Sequence, residues 1–141
     1  MLPREIYCHH AFYRDRLTGE VKRKFFVVLA RLPSEDLVVR LLTSRSHGRP
    51  ETPPCYHGLP YAGFYLGVLG GRFSKQSWLD LRYLDDLDPA PAAGLRKRAV
   101  LEHVGTLDLA VFGDLLECAA RADDTTKAQE KAMRDELARL R

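Results

Sequence analysis

The run "KFFVVLA" (residues 24–30) constrains the fold more than any other stretch of this chain. After Lys24 every position is apolar, and aromatic and β-branched side chains stand side by side. Such a run has no polar face for water. Bounded by turn-forming residues, it reads as a strand covered on both faces. "LPSEDL" (32–37) supplies Pro, Ser and two acids for a hairpin connection, and "DLVVRLLTS" (36–44) is the returning strand. A chain of 141 residues can pack material on both sides of such a sheet without staples.

Further strands flank this hairpin. "YCHHAFYRD" (7–15) alternates weakly and leads into a turn around Gly19; "FYLGVLGG" (64–71) and "SWLDLRYLDD" (77–86) follow later, with Trp78 as a core anchor. Between them, residues 45–63 hold four prolines and three glycines, which predicts a long loop of the kind that carries function. From the Pro/Ala/Gly linker at 88–94 onward the character becomes helical. Residues 95–105 read as a helix ending at Gly105, or as a short strand and turn. Residues 106–122 form a helix with Thr106 as N-cap and an apolar stripe of Leu109, Phe112, Leu115, Leu116 and Ala119. Residues 125–141 have a thin stripe of Ala128, Ala132, Met133, Leu137 and Leu140, and predict either a docked helix or a solvated tail. The fold class is therefore α+β: a small, strongly curved, mostly antiparallel sheet or SH3-like barrel, followed by C-terminal helices. The division is a barrel-plus-helix domain over 1–122 and a charged segment over 123–141.

Net charge is only +3, but residues 1–60 hold ten Lys/Arg against six Asp/Glu, and the remainder twelve against thirteen. The basic excess lies in the N-terminal half and points to an anionic partner. Three cysteines without framework spacing argue against a secreted disulfide scaffold and for a reducing cytosol. No stretch resembles a signal peptide or a membrane span, so the expected location is cytoplasmic.

The strongest constellation follows from hairpin geometry, in which the start of one strand lies beside the end of its partner. Arg23 and Lys24 then fall near Thr43 and Ser44, with Arg45, His47 and Arg49 just beyond. Cations beside hydroxyls hold a phosphate through charge-assisted hydrogen bonds. The alternative is ordinary solvation of strand ends. Tyr56 and Tyr61 in the loop offer stacking faces for single-stranded bases, or pack the loop onto the sheet. Cys8, His9, His10, Cys55 and His57 make a poor zinc set: His9 and His10 point to opposite strand faces, and the spacings match no usual ligand pair. Cys55-x-His57 defines no nucleophile geometry. Asp85, Asp86 and Asp88 read as a solvated turn, and "LGVLGG" lacks the spacing and Lys of a phosphate loop.

Taken together, "KFFVVLA", "VVRLLTS", "SWLDLRYLDDLD" and "LEHVGTLDLAVFGDLLECA" resemble the PemK/MazF-like toxins over roughly residues 20–120. The resemblance implies a small barrel that cleaves single-stranded RNA, as the toxin of a toxin–antitoxin pair. It implies a homodimer, an antitoxin protein that blocks the RNA groove, and no metal or cofactor. Carried over by residue, it points to Thr43 and the Arg23/Lys24 pair. These would stabilise the scissile phosphate while the RNA's 2′-hydroxyl attacks, leaving a 2′,3′-cyclic phosphate and a 5′-hydroxyl. The chain departs from the family at the Arg-Pro that opens the long strand, where Lys24 and Phe25 stand instead. Lys supplies a point charge and not Arg's two-pronged fork.

Overall fold

The computed structural model describes residues 1–141. Seven strands form one antiparallel sheet: β1 (Glu5–Arg14), β2 (Val21–Arg31), β3 (Leu37–Thr43), β4 (Cys55–Tyr56), β5 (Gly63–Gly70), β6 (Phe73–Asp80) and β7 (Leu101–Thr106). Their order across the sheet is β4-β5-β6-β3-β2-β1-β7, so the sheet is open, with β4 and β7 as its two edges. The fold is α+β; the closed-barrel alternative is not formed. Helices α1 (Pro89–Lys97), α2 (Leu109–Ala120) and α3 (Lys127–Leu140) complete the chain.

The long apolar run is the centre of β2, and its neighbours explain its composition. Val27 and Leu29 face the main core, where they meet α2 and α3 through Phe112, Leu115, Leu116, Met133 and Leu137. Phe26 and Val28 face a second, smaller cluster with Tyr7, Leu37, Val39 and Ala92 of α1. A strand sandwiched in this way has no use for alternation.

Several boundaries differ from the sequence expectation, each for a local reason. The Pro/Ala/Gly stretch read as a linker is α1: Asp88 caps it by accepting the Ala90 N–H at 2.9 Å, and Pro89 opens the first turn, where no N–H is needed. Residues 95–105 divide between the end of α1 and the edge strand β7, which bears out the strand alternative for their second half. The strand expected over 77–86 lies at Phe73–Asp80, and Asp80 turns the chain by accepting the Arg82 N–H. Helix α2 starts two residues later than expected, capped by Asp108, because Thr106 still belongs to β7. On its stripe Leu109 is exposed and the other four positions are buried.

Helix α3 is docked. A reciprocal capping box joins Thr126 and Gln129, and Ala132, Met133 and Leu137 enter the same core as α2. Cysteine use is also corrected. Cys55 of β4 is bonded to Cys118 of α2, tying the 45–63 segment to the helix, while Cys8 is free and fully buried. No helix is long and apolar enough to cross a membrane.

Candidate functional site

Sheet register sets the site. Phe25 pairs with Leu42 between β2 and β3, so Lys24 and Thr43 are the next positions outward. On either side, His9 lies opposite Lys24 and Trp78 opposite Thr43. Lys24 and Thr43 thus share one face, the cross-strand arrangement that lets side chains meet.

A cleft of about 630 Å³ opens at these strand ends. It brings together Arg23, Lys24, Thr43, Ser44, Arg45 and His47, all expected from the sequence. It adds Tyr13, Arg72 of the β5–β6 turn, and Phe73, Ser74 and Lys75 at the start of β6, with Ser77 and Arg82. Six lining side chains are Lys or Arg, and none is Asp or Glu.

The six cations are not equivalent. Arg82 is paired with Asp80, Nη2 to Oδ2 at 2.7 Å, and this bond holds its already high pKa higher still. Arg72 reaches Glu102 at 3.4 Å. Arg23, Lys24, Arg45 and Lys75 have no carboxylate within ion-pair distance. Instead Arg23 lies 5.6 Å from the Phe25 ring and Lys24 5.9 Å from the Tyr13 ring, which orient the two chains without neutralising them. The Thr43 hydroxyl accepts the Arg45 N–H at 3.1 Å, so its proton is left to donate into the cleft.

Three residues expected to touch RNA lie elsewhere. Arg49 is buried, 3% exposed, and donates to the carbonyls of Ser46, Ala62 and Arg45. Gly63 admits it, since a Cβ there would collide with the guanidinium. Burial pushes the Arg49 pKa down. Tyr61 stacks between Arg49 and Arg82, at 4.6 and 3.8 Å, and supports His47, whose ring lies 5.8 Å away. Tyr56 hydrogen-bonds Leu59 within the loop. Arg49 and Tyr61 back the lining residues Arg45, His47 and Arg82, and none of the three lines the cleft.

The added residues left a faint trace in the sequence. "GGRFSK" (70–75) is a two-glycine turn carrying two cations, but only sheet order places it against Thr43.

Other groups are accounted for differently. Two of the three aspartates do structural tasks, Asp86 accepting from Gln129 at 2.8 Å and Asp88 capping α1, while Asp85 lies beside Tyr83 and pushes its phenol pKa up. Cys8, His10 and Glu102 form a chain, Sγ to Nδ1 at 3.8 Å and Nε2 to Oε1 at 2.9 Å. Burial pushes the Cys8 thiol up in pKa and leaves it with no exposed surface, so it is no nucleophile. Comparison of the chain with protein-family models, with curated proteins and with solved structures gives no match.

Proposed function

We propose that the cleft binds single-stranded RNA and cleaves it, with the RNA's own 2′-hydroxyl as nucleophile. One observation carries the reading: unpaired cations and a donating hydroxyl converge on an open cleft with no acidic side chain. A polyanion is the ligand such a surface accepts. Lys24 and Thr43 would hold the non-bridging oxygens of the scissile phosphate, and Arg23 and Arg45 the flanking ones. His47 is the lining side chain able to take the 2′-hydroxyl proton. Attack of that oxygen on phosphorus then forms the cyclic phosphate and breaks the P–O5′ bond, and the 5′-oxygen takes a proton from solvent to leave as a hydroxyl. Positioning and charge stabilisation supply most of what such a transfer needs. The donor set does not suit a divalent metal, since the lining offers one imidazole and no carboxylate or thiolate.

The PemK/MazF-like resemblance extends this reading to a cytoplasmic toxin that pairs with itself. An acidic antitoxin segment would then occupy the cleft. A second reading keeps the RNA and drops the cleavage. Lys24 favours it, because an ammonium cannot grip a phosphate with two parallel bonds as Arg does.

The test is incubation with a long single-stranded RNA in EDTA, beside Thr43→Ala and Lys24→Ala. Discrete fragments ending in cyclic phosphate are expected from the wild type, with the rate lowered about 10²–10³-fold in each variant. Cleavage unchanged in both would remove this cleft as the reaction site. Intact RNA that still binds would establish the second reading.

A further inference from the structure

Where the middle of the long loop meets α2, apart from the residues that line the cleft, three metal-ligating side chains come together. We propose that Cys55, His57 and Cys118, when the two cysteines are reduced, bind one zinc-class divalent cation. The three donor atoms lie within 4.8 Å of one another. Cys55 and His57 are two apart on extended backbone at and just beyond β4, so their side chains point the same way, towards α2. There the helix presents Cys118, 63 residues along the chain from Cys55.

The histidine carries the argument, because a simple disulfide has no need of it. His57 Nε2 is 3.2 Å from Cys55 Sγ and 3.6 Å from Cys118 Sγ. In a tetrahedral zinc site, metal–sulfur bonds near 2.3 Å and metal–nitrogen bonds near 2.0–2.1 Å place sulfur and nitrogen about 3.5 Å apart. The imidazole therefore already stands along two edges of such a tetrahedron. Two sulfurs and one imidazole select a borderline-soft ion such as Zn²⁺ over Mg²⁺ or Ca²⁺. His57 is exposed on the rim of a cavity of about 610 Å³ that Asp123 and Asp124 also border, which leaves room for a water or carboxylate as fourth ligand. Arg121, 3.7 Å from Cys55 Sγ, complements a thiolate there.

In the present state the two sulfurs are bonded to each other, so disulfide and metal are alternatives. A dithiol or phosphine reductant delivers two electrons and, with two protons from solvent, opens the S–S bond to two thiols. The cation then displaces both thiol protons and bonds to two sulfurs and Nε2. A peroxide or low-molecular-weight disulfide oxidant takes two electrons from the two thiolates, is itself reduced to water or to two thiols with solvent protons, re-forms the S–S bond and expels the ion. Either link fastens β4 to α2. The inference is independent of what the cleft binds.

The experiment uses the full chain, reduced with a phosphine, stripped with a chelator and titrated with Zn²⁺ against a chromophoric competitor. Co²⁺ serves as a spectroscopic substitute and free thiols are counted by alkylation. The expected result is one ion per chain, thiolate-to-cobalt charge transfer in the near ultraviolet, and release of the ion as two thiols disappear on oxidation. His57→Ala, at an exposed position, should keep the fold and lose affinity by at least the roughly 10–100-fold that even outer-shell partners contribute. Cys118→Ser should lose the charge-transfer band. Binding by reduced wild type no tighter than by Cys118→Ser, or no weaker in His57→Ala, would overturn the proposal.

Discussion

Arg40 heads the fully buried side chains by volume, and it is a cation. It sits in β3 opposite Val27, facing α3. Its Nη1 donates to the Val39 carbonyl at 2.8 Å and its Nη2 to Gln129 Oε1 at 3.0 Å, while Nε has no partner. Gln129 passes the interaction on, donating from Nε2 to Asp86 at 2.8 Å. Burial lowers the Arg40 pKa, and the Asp86 carboxylate partly restores it. A neutral amide thus relays between a buried guanidinium and a carboxylate. Gln129 also accepts the Thr126 N–H, so one side chain serves both the relay and the α3 cap. Gln129→Leu should therefore cost roughly 2–4 kcal/mol, from a stranded cation and a lost cap. Arg40→Met should cost less, because it removes the charge that needs the relay. Urea midpoints of the two variants decide this, and a larger loss in Arg40→Met would contradict the relay.

At the scale of elements, β7 depends on a polar clamp as well as on its ladder. It is an edge strand paired only with β1. At the start of β1, Glu5 accepts the Tyr7 hydroxyl at 2.7 Å and lies 3.6 Å from His103 of β7. Burial alone would raise the Glu5 pKa, but the Leu2 N–H, the Tyr7 hydroxyl and His103 outweigh it and hold it below the ordinary 4.5. A carboxyl whose folded pKa is lowered stabilises above its unfolded pKa and loses that contribution as pH falls through the folded value. Melting temperatures from pH 7 to pH 3 should show Glu5→Gln less stable than wild type at neutrality, with the gap closing in the acid range. A gap that stays constant with pH would mean that packing and not charge holds this corner. Helix α3 makes the complementary point. Its sequence is half charged and marginal alone, yet Met133 and Leu137 reach a core that α2 and β2 have already built.

For the whole molecule, charge layout matters more than net charge. A balance of +3 spread evenly would steer nothing, but four cations without carboxylate partners share one cleft. If each contacts one phosphate of a single strand, log K should fall against log salt with a slope of about −3. Lys75→Ala should reduce that slope by about 0.7 and weaken binding for every RNA sequence alike. Titrations at several salt concentrations measure this, and a slope near zero would remove RNA as the ligand. Much of the arrangement was legible beforehand. The run at 24–30, the acid-and-proline turn and the returning strand specify a central hairpin, because local periodicity and turn chemistry act over a few residues. With it came the juxtaposition of Lys24 and Thr43, since a hairpin's register is a local property. The sequence by itself therefore determined the α+β class, the hairpin and the nucleus of the site. Tertiary structure alone decided that Arg49 turns inward, that "GGRFSK" completes the cleft, that residues 89–97 form a helix, and that Cys118 meets Cys55 and His57. Each of these depends on which distant surfaces the sheet order brings together, and burial and pairing are properties of those surfaces, with no periodicity in the chain to announce them.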